Sequence, residues 1–136
     1  MKPQGVNLDG VSDIAELVER VLQTRLSEVH ALKGELARRE KQGLHDFRIA
    51  CKRLRYALER FEALNPALQA AAEKLALLQD ALGEAHDRDV LLAILPTTMA
   101  ATQRRLQSER EGCVDRAIAL WAELQQSVQA LDSHSI

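Results

Sequence analysis

The sequence predicts an all-α fold, an antiparallel four-helix bundle with long first and last helices, on three observations. Aromatic residues make up 3% of the chain, while Leu, Ala, Glu, Gln and Arg, which favour helix over strand, dominate it. Apolar residues recur at intervals of three and four along most of its length. Gly43, Asn65-Pro66, Gly83 and Pro96 divide that periodicity into a few long stretches, as helix stops do.

The first stretch opens at Ser12, an N-cap residue followed by the first-turn acids Asp13 and Glu16. Ile14, Leu17, Val18, Val21, Val29, Leu32 and Leu36 then keep helical spacing, which predicts a helix over about 12–41. Gly43 breaks it. The second stripe, Phe47, Ala50, Cys51, Leu54, Ala57, Leu58 and Phe61, ends near Ala63 because the residue before a proline avoids helical geometry. A third stripe, Leu68, Ala71, Ala72, Leu75, Leu78 and Leu82, stops at Gly83. Asp87 to Leu95 forms a short helical segment closed by Pro96, with Asp87 and Asp89 as first-turn acids or as partners that orient neighbouring arginines. The last helix carries Met99, Leu106, Cys113, Ala117, Leu120, Trp121, Leu124, Val128 and Leu131. Residues 1–11 are expected to be flexible, 12–131 to form one bundle and 132–136 to fray.

Bulk properties narrow the function classes. The 136 residues suit one domain. Eighteen basic against 20 acidic residues give a formal charge of −2, unlike a general nucleic-acid coating protein, so any anion site must be a local patch. The N-terminus lacks a signal-peptide apolar region and no stretch approaches the roughly 18 apolar residues of a membrane span, so a cytoplasmic protein is expected. Cys51 and Cys113 stand alone, outside metal or redox spacings, and are expected to be small buried hydrophobes.

The second helix carries the functional signal. On a wheel of about 100° per residue with His45 at zero, its apolar set spans about 120° to 240°, while His45, Arg48, Lys52 and Arg55 fall between about 280° and 360°. Arg53 sits apart, near 80°. Between Phe47 and Leu58 there is no acid against Arg48, Lys52, Arg53 and Arg55; ordinary solvated faces mix signs. Like charges one turn apart cost a few tenths of a kcal/mol, which an anionic partner would offset. Guanidinium groups suit bidentate phosphate contacts, and a histidine near neutral pH can donate to phosphate oxygens. Glu59 closes the stripe and can pair with Arg55 at i,i+4.

The run Leu44-His45-Asp46-Phe47-Arg48-Ile49-Ala50-Cys51-Lys52-Arg53-Leu54-Arg55 resembles the signature helix of the CHAD family, the conserved-histidine α-helical domains: a histidine, an arginine three on, then a basic-basic-Leu-Arg cluster. Lys52 stands where an arginine is commoner. A second family element, Leu-Gly followed by Arg-Asp-x-Asp-Val, is similar to Leu82 to Val90, with His86 in place of the arginine. The resemblance implies a non-catalytic helical bundle that binds inorganic polyphosphate, with His45, Arg48, Lys52, Arg53 and Arg55 as ligands. It also implies possible partners among proteins of polyphosphate metabolism and association with polyphosphate granules. The family domain usually comprises two such halves and this chain has one, so a homodimer is expected.

Competing readings are a bundle that recognises an acidic protein and, more weakly, a metal-dependent phosphohydrolase suggested by His45-Asp46 and His86-Asp87. Adjacent helix positions diverge by about 100°, and the usual helical metal motifs are missing, so no metal or other cofactor is expected. Nucleic acid is disfavoured, since Tyr56 is the one aromatic near the basic face. No phosphate loop, serine elbow or paired-carboxylate arrangement supports catalysis. His30 is expected at a surface or edge, Trp121 in the core or a dimer interface, and Arg104, Arg105 and Arg110 on a mixed surface that could extend the anion patch.

Overall fold

The computed structural model describes residues 2–134, with side chains from Lys2 to Ser127. Val128, Leu131 and the 132–136 tail expected to fray lie outside the residues with described side chains. Among the described residues the fold is all-helical, with no strand: α1 (Ile14–Leu32), a single-turn α2 (Glu35–Arg38), α3 (Lys41–Phe61), a 3-10 turn at Glu62–Leu64, α4 (Pro66–Ile94) and α5 (Ala100–His134).

Several boundaries differ from those the sequence predicts. The expected 12–41 helix is two pieces. Asp13, not Ser12, caps α1, its carboxylate accepting from Glu16 N at 2.9 Å while the Glu16 carboxylate accepts from Ser12 N at 3.0 Å. This is a reciprocal cap set one residue later than expected. The chain loosens at Lys33-Gly34 and stops at Arg39, whose φ of 58° is left-handed and cannot continue a helix. Gly43, expected as a break, lies within the first turn of α3. A Cβ there would come within 2.0 Å of Glu35 Oε2, so the missing side chain lets α2 lie close.

Gly83, expected as a stop, lies inside α4, which runs unbroken to Ile94. The segment expected as a separate helix over Asp87 to Leu95 is therefore the last part of α4. Asp87 and Asp89 sit mid-helix rather than in a first turn. A glycine in a helix interior costs under about 1 kcal/mol, which flanking Leu78, Ala81, Leu82 and Ala85, all buried, outweigh. Asn65 caps α4 by accepting from Ala67 N at 3.0 Å, and Pro66 occupies its first position. At the far end Leu95 turns extended before Pro96, as expected.

The α3 core face is the one the wheel predicts: Phe47, Ala50, Cys51, Leu54, Ala57 and Leu58 are buried, joined by Leu44, while Phe61 is partly buried. They meet Ala71, Leu75, Leu78, Leu82 and Ala85 of α4 and Val114, Ala117 and Leu124 of α5. Trp121 belongs to this core, its ring edge-on to Phe47 at 5.4 Å; the exposed His30 ring touches its other side at 5.9 Å. Cys51 and Cys113 are both buried, and burial pushes the Cys51 thiol up, well clear of neutrality.

Polar staples fix the helices in register. Arg110 is not a surface residue: it is 9% exposed, donating to Asp89 at 3.0 Å, Glu111 at 2.8 Å and the Arg39 carbonyl at 2.6 Å. It thus ties α5 to α4 and to the left-handed residue after α2. Arg39 reaches back to Glu111 at 2.7 Å and to Asp115, and the guanidinium groups of Arg110 and Arg39 hold the Glu111 carboxyl below its usual range. Glu84 pairs with Arg116, and Lys74 donates to Ser127 at 2.8 Å.

α1 packs on α3 and makes no comparable contact with α4 or α5. An apolar groove of about 650 Å³, lined by Leu22, Leu26, Leu58, Leu68, Leu75 and Leu124, runs beneath it. The N-terminal segment lies along α1, with Gln4 N donating to Glu28 at 2.9 Å and Arg20 to the Asn7 carbonyl at 2.9 Å.

Candidate functional site

Because α3 begins at Lys41, its outer edge gains a cation that the expected break at Gly43 concealed. Lys41, His45, Arg48, Lys52 and Arg55 follow one another at steps of four, three, four and three, the spacing that keeps side chains on one edge of a helix. The edge is about 21 Å long at 1.5 Å per residue. Lys41, His45 and Lys52 are exposed; Arg48 and Arg55 are half-buried.

Half-burial orders the two arginines. Arg48 leans across the α3–α4 seam, its Nε 3.5 Å from the Gln79 carbonyl, and its guanidinium lies over Gly83. A Cβ at Gly83 would stand 3.3 Å from Nη2 and 3.7 Å from Cζ. Gly83 is therefore a notch for Arg48 rather than a helix stop. Arg55 lies 3.9 Å from Glu59, the i,i+4 pair the sequence predicts. Lys52 and Arg55 flank the exposed Tyr56 ring, 5.7 and 5.1 Å from its centroid, distances at which a cation is attracted to an aromatic face.

Arg53 stands apart from the other four predicted ligands. It points to α1, where it lies 3.9 Å from Glu28, a 6% exposed carboxylate that also accepts from Arg25 at 2.7 Å. A buried carboxylate needs such partners.

The other wall comes from α4. The His86 ring lies 6.0 Å from that of His45, with an angle of 32° between planes. The two rings, with Lys41, Arg48 and Asp89, border a shallow depression floored by Leu44, Leu82 and Ala85. Asp89 faces Arg110, as one of the two roles expected of it requires. His86 is 47% exposed and its Nδ1 is 4.0 Å from Asp87. Among the described residues no group of three or more His, Cys, Asp or Glu side chains could hold a metal ion, and no helix is long and apolar enough to cross a membrane.

Fold and site together define an all-α protein that presents a row of cations along one helix edge, with a second helix supplying a facing histidine. The CHAD domain family model matches residues 4–96, a span that takes in α1 through α4, and the chain belongs to the CHAD domain family. No curated protein and no solved structure matches the chain.

Proposed function

We propose that this chain binds inorganic polyphosphate along the outer edge of α3, without catalysis. The observation that carries this reading is the row Lys41, His45, Arg48, Lys52 and Arg55 on one edge, in a member of the CHAD family, a family consistent with polyphosphate-related function. A regular row of cations suits a polymer whose charge also repeats, because each added contact is a further charge pair at no cost in new translational entropy. Lys52 and Arg55 extend the row past the two-helix part of the site, and Arg53 takes a lesser share because Glu28 competes for it. The bundle is antiparallel in this reading, supported by cross-helix pairs that step in opposite directions, 74 with 127, 84 with 116 and 89 with 110. Residues 12–131 act as one unit, and two copies pair to lengthen the basic surface in a cytoplasmic, granule-associated protein.

Fluorescence anisotropy with end-labelled long-chain polyphosphate tests this. Wild type is expected to bind with an affinity that falls as salt rises, and His45→Ala with Arg48→Ala to weaken binding at least tenfold, while Arg104→Ala on α5 leaves it unchanged. An unaltered affinity in the double variant overturns the assignment; displacement of the labelled polymer by an acidic polypeptide at a lower total charge than unlabelled polyphosphate requires favours the acidic-protein alternative. Light scattering on the same samples is expected to give the mass of two chains, and a single-chain mass at micromolar concentration removes the dimer.

A further inference from the structure

The His45–His86 pair has no role in a simple row of fixed charges, and its geometry points to proton-coupled binding. We propose that His86 is a binding residue supplied by α4, and that the facing pair makes the site's grip on polyphosphate tighten as pH falls through the imidazole range. This rests on the polyphosphate reading and adds a ligand and a regulation to it.

Two imidazoles with centroids 6.0 Å apart border one depression with Lys41 and Arg48. A phosphate oxygen seated there can accept from both rings. A neutral imidazole has one N–H and one acceptor nitrogen, so each ring offers a donor but no charge; protonated, each offers two donors and a positive charge. Ordinary histidine titrates near pH 6.5, so physiological changes in pH alter the charge facing the ligand by up to two.

The surroundings decide the direction. On α3, Lys41 lies one turn before His45 and Arg48 one turn after; Asp46, beside it, accepts from Gln42 at 3.0 Å. On α4, Asp87 lies 4.0 Å from His86 Nδ1, Glu84 pairs with Arg116, and Arg88 donates to Glu84 O. Asp89 borders the depression, but its carboxylate is engaged by Arg110 of α5 at 3.0 Å. Lys41 and Arg48 already line the depression with fixed positive charge. A phosphate seated in the depression favours the protonated rings over the neutral ones, because each imidazolium turns an added donor and a positive charge towards it. Binding and protonation are then linked, and each proton taken up steepens the fall of affinity with pH by up to tenfold per pH unit.

The test compares wild type with His86→Arg and His86→Ala at constant ionic strength between about pH 6 and about pH 8, a window that brackets imidazole titration. Wild-type affinity is expected to drop at least tenfold across it. His86→Arg, a permanent cation at the same place, is expected to flatten that profile and hold at pH 8 close to the wild-type affinity at pH 6. His86→Ala is expected to weaken binding most at the acid end. Any titration of the polymer itself is common to all three proteins and cancels in the comparison. Calorimetry in two buffers of different ionisation enthalpy reads the proton uptake directly, and uptake is expected in wild type and reduced in His86→Arg. Binding with the same pH profile in wild type and His86→Arg overturns this inference alone. No binding at pH 6 overturns the polyphosphate reading and this inference with it.

Discussion

Phe47→Ala is expected to lower the unfolding free energy by about 3–5 kcal/mol, the range for removing a fully buried aromatic ring from a packed core. Phe47 is 0% exposed and meets the Trp121 ring edge-on at 5.4 Å, so the deletion loses burial, an aromatic pair and the support of a second large ring at once. Neighbouring Ala50, Cys51 and Val114 are too short to close the space. Urea denaturation followed by circular dichroism, with the slope of free energy against urea unchanged, measures the loss; a change under about 1 kcal/mol contradicts this packing. The same helix carries the candidate site residues His45 and Arg48 on either side of Phe47, so a variant that remains folded is also expected to bind anions less tightly.

Arg110→Ala is expected to cost about 2–3 kcal/mol, although the sequence context suggests an ordinary surface arginine. Its guanidinium serves Asp89, Glu111 and the Arg39 carbonyl together, and removing it leaves a 13% exposed carboxylate and a carbonyl without their donor. Arg110→Lys is expected to restore little, because a point charge cannot address three acceptors lying in different directions. Thermal unfolding of the two variants beside wild type checks this; if lysine recovers most of the loss, the interaction is one of charge alone.

The helical stripes and the core face of α3 were legible in the sequence because they rest on periodicity, which tertiary context seldom overturns. Glycine was misleading for one reason in both cases. Gly43 and Gly83 carry the conformational signature of a helix end, yet each is where another chain element approaches: Glu35 at the first, the Arg48 guanidinium at the second. A sequence does not distinguish a glycine needed for its backbone freedom from one needed for its missing side chain. Lys41 was hidden by the same misreading, since a helix started after Gly43 leaves it out, although its spacing from His45 was there to be seen. The four stripe residues His45, Arg48, Lys52 and Arg55 do share an edge, whereas the partner of Arg53 on α1 and the approach of His86 to His45 depend on how helices meet. The end of α2 rests on a left-handed Arg39, a conformation that an arginine in the sequence does not announce.

The connection between α3 and α4 is only the Glu62–Leu64 turn and Asn65, and its consequence is kinetic. Both walls of the candidate site lie on consecutive helices, so the search that brings His45 to His86 is a hinge closure between sequence neighbours, not an encounter between distant parts of the chain. Loop-closure entropy rises only slowly with length and is smallest for such neighbours, and folds dominated by local contacts form quickly. The link from α4 to α5 is short as well, so both walls of the candidate edge, and the Asp89–Arg110 contact behind them, form between neighbours along the chain.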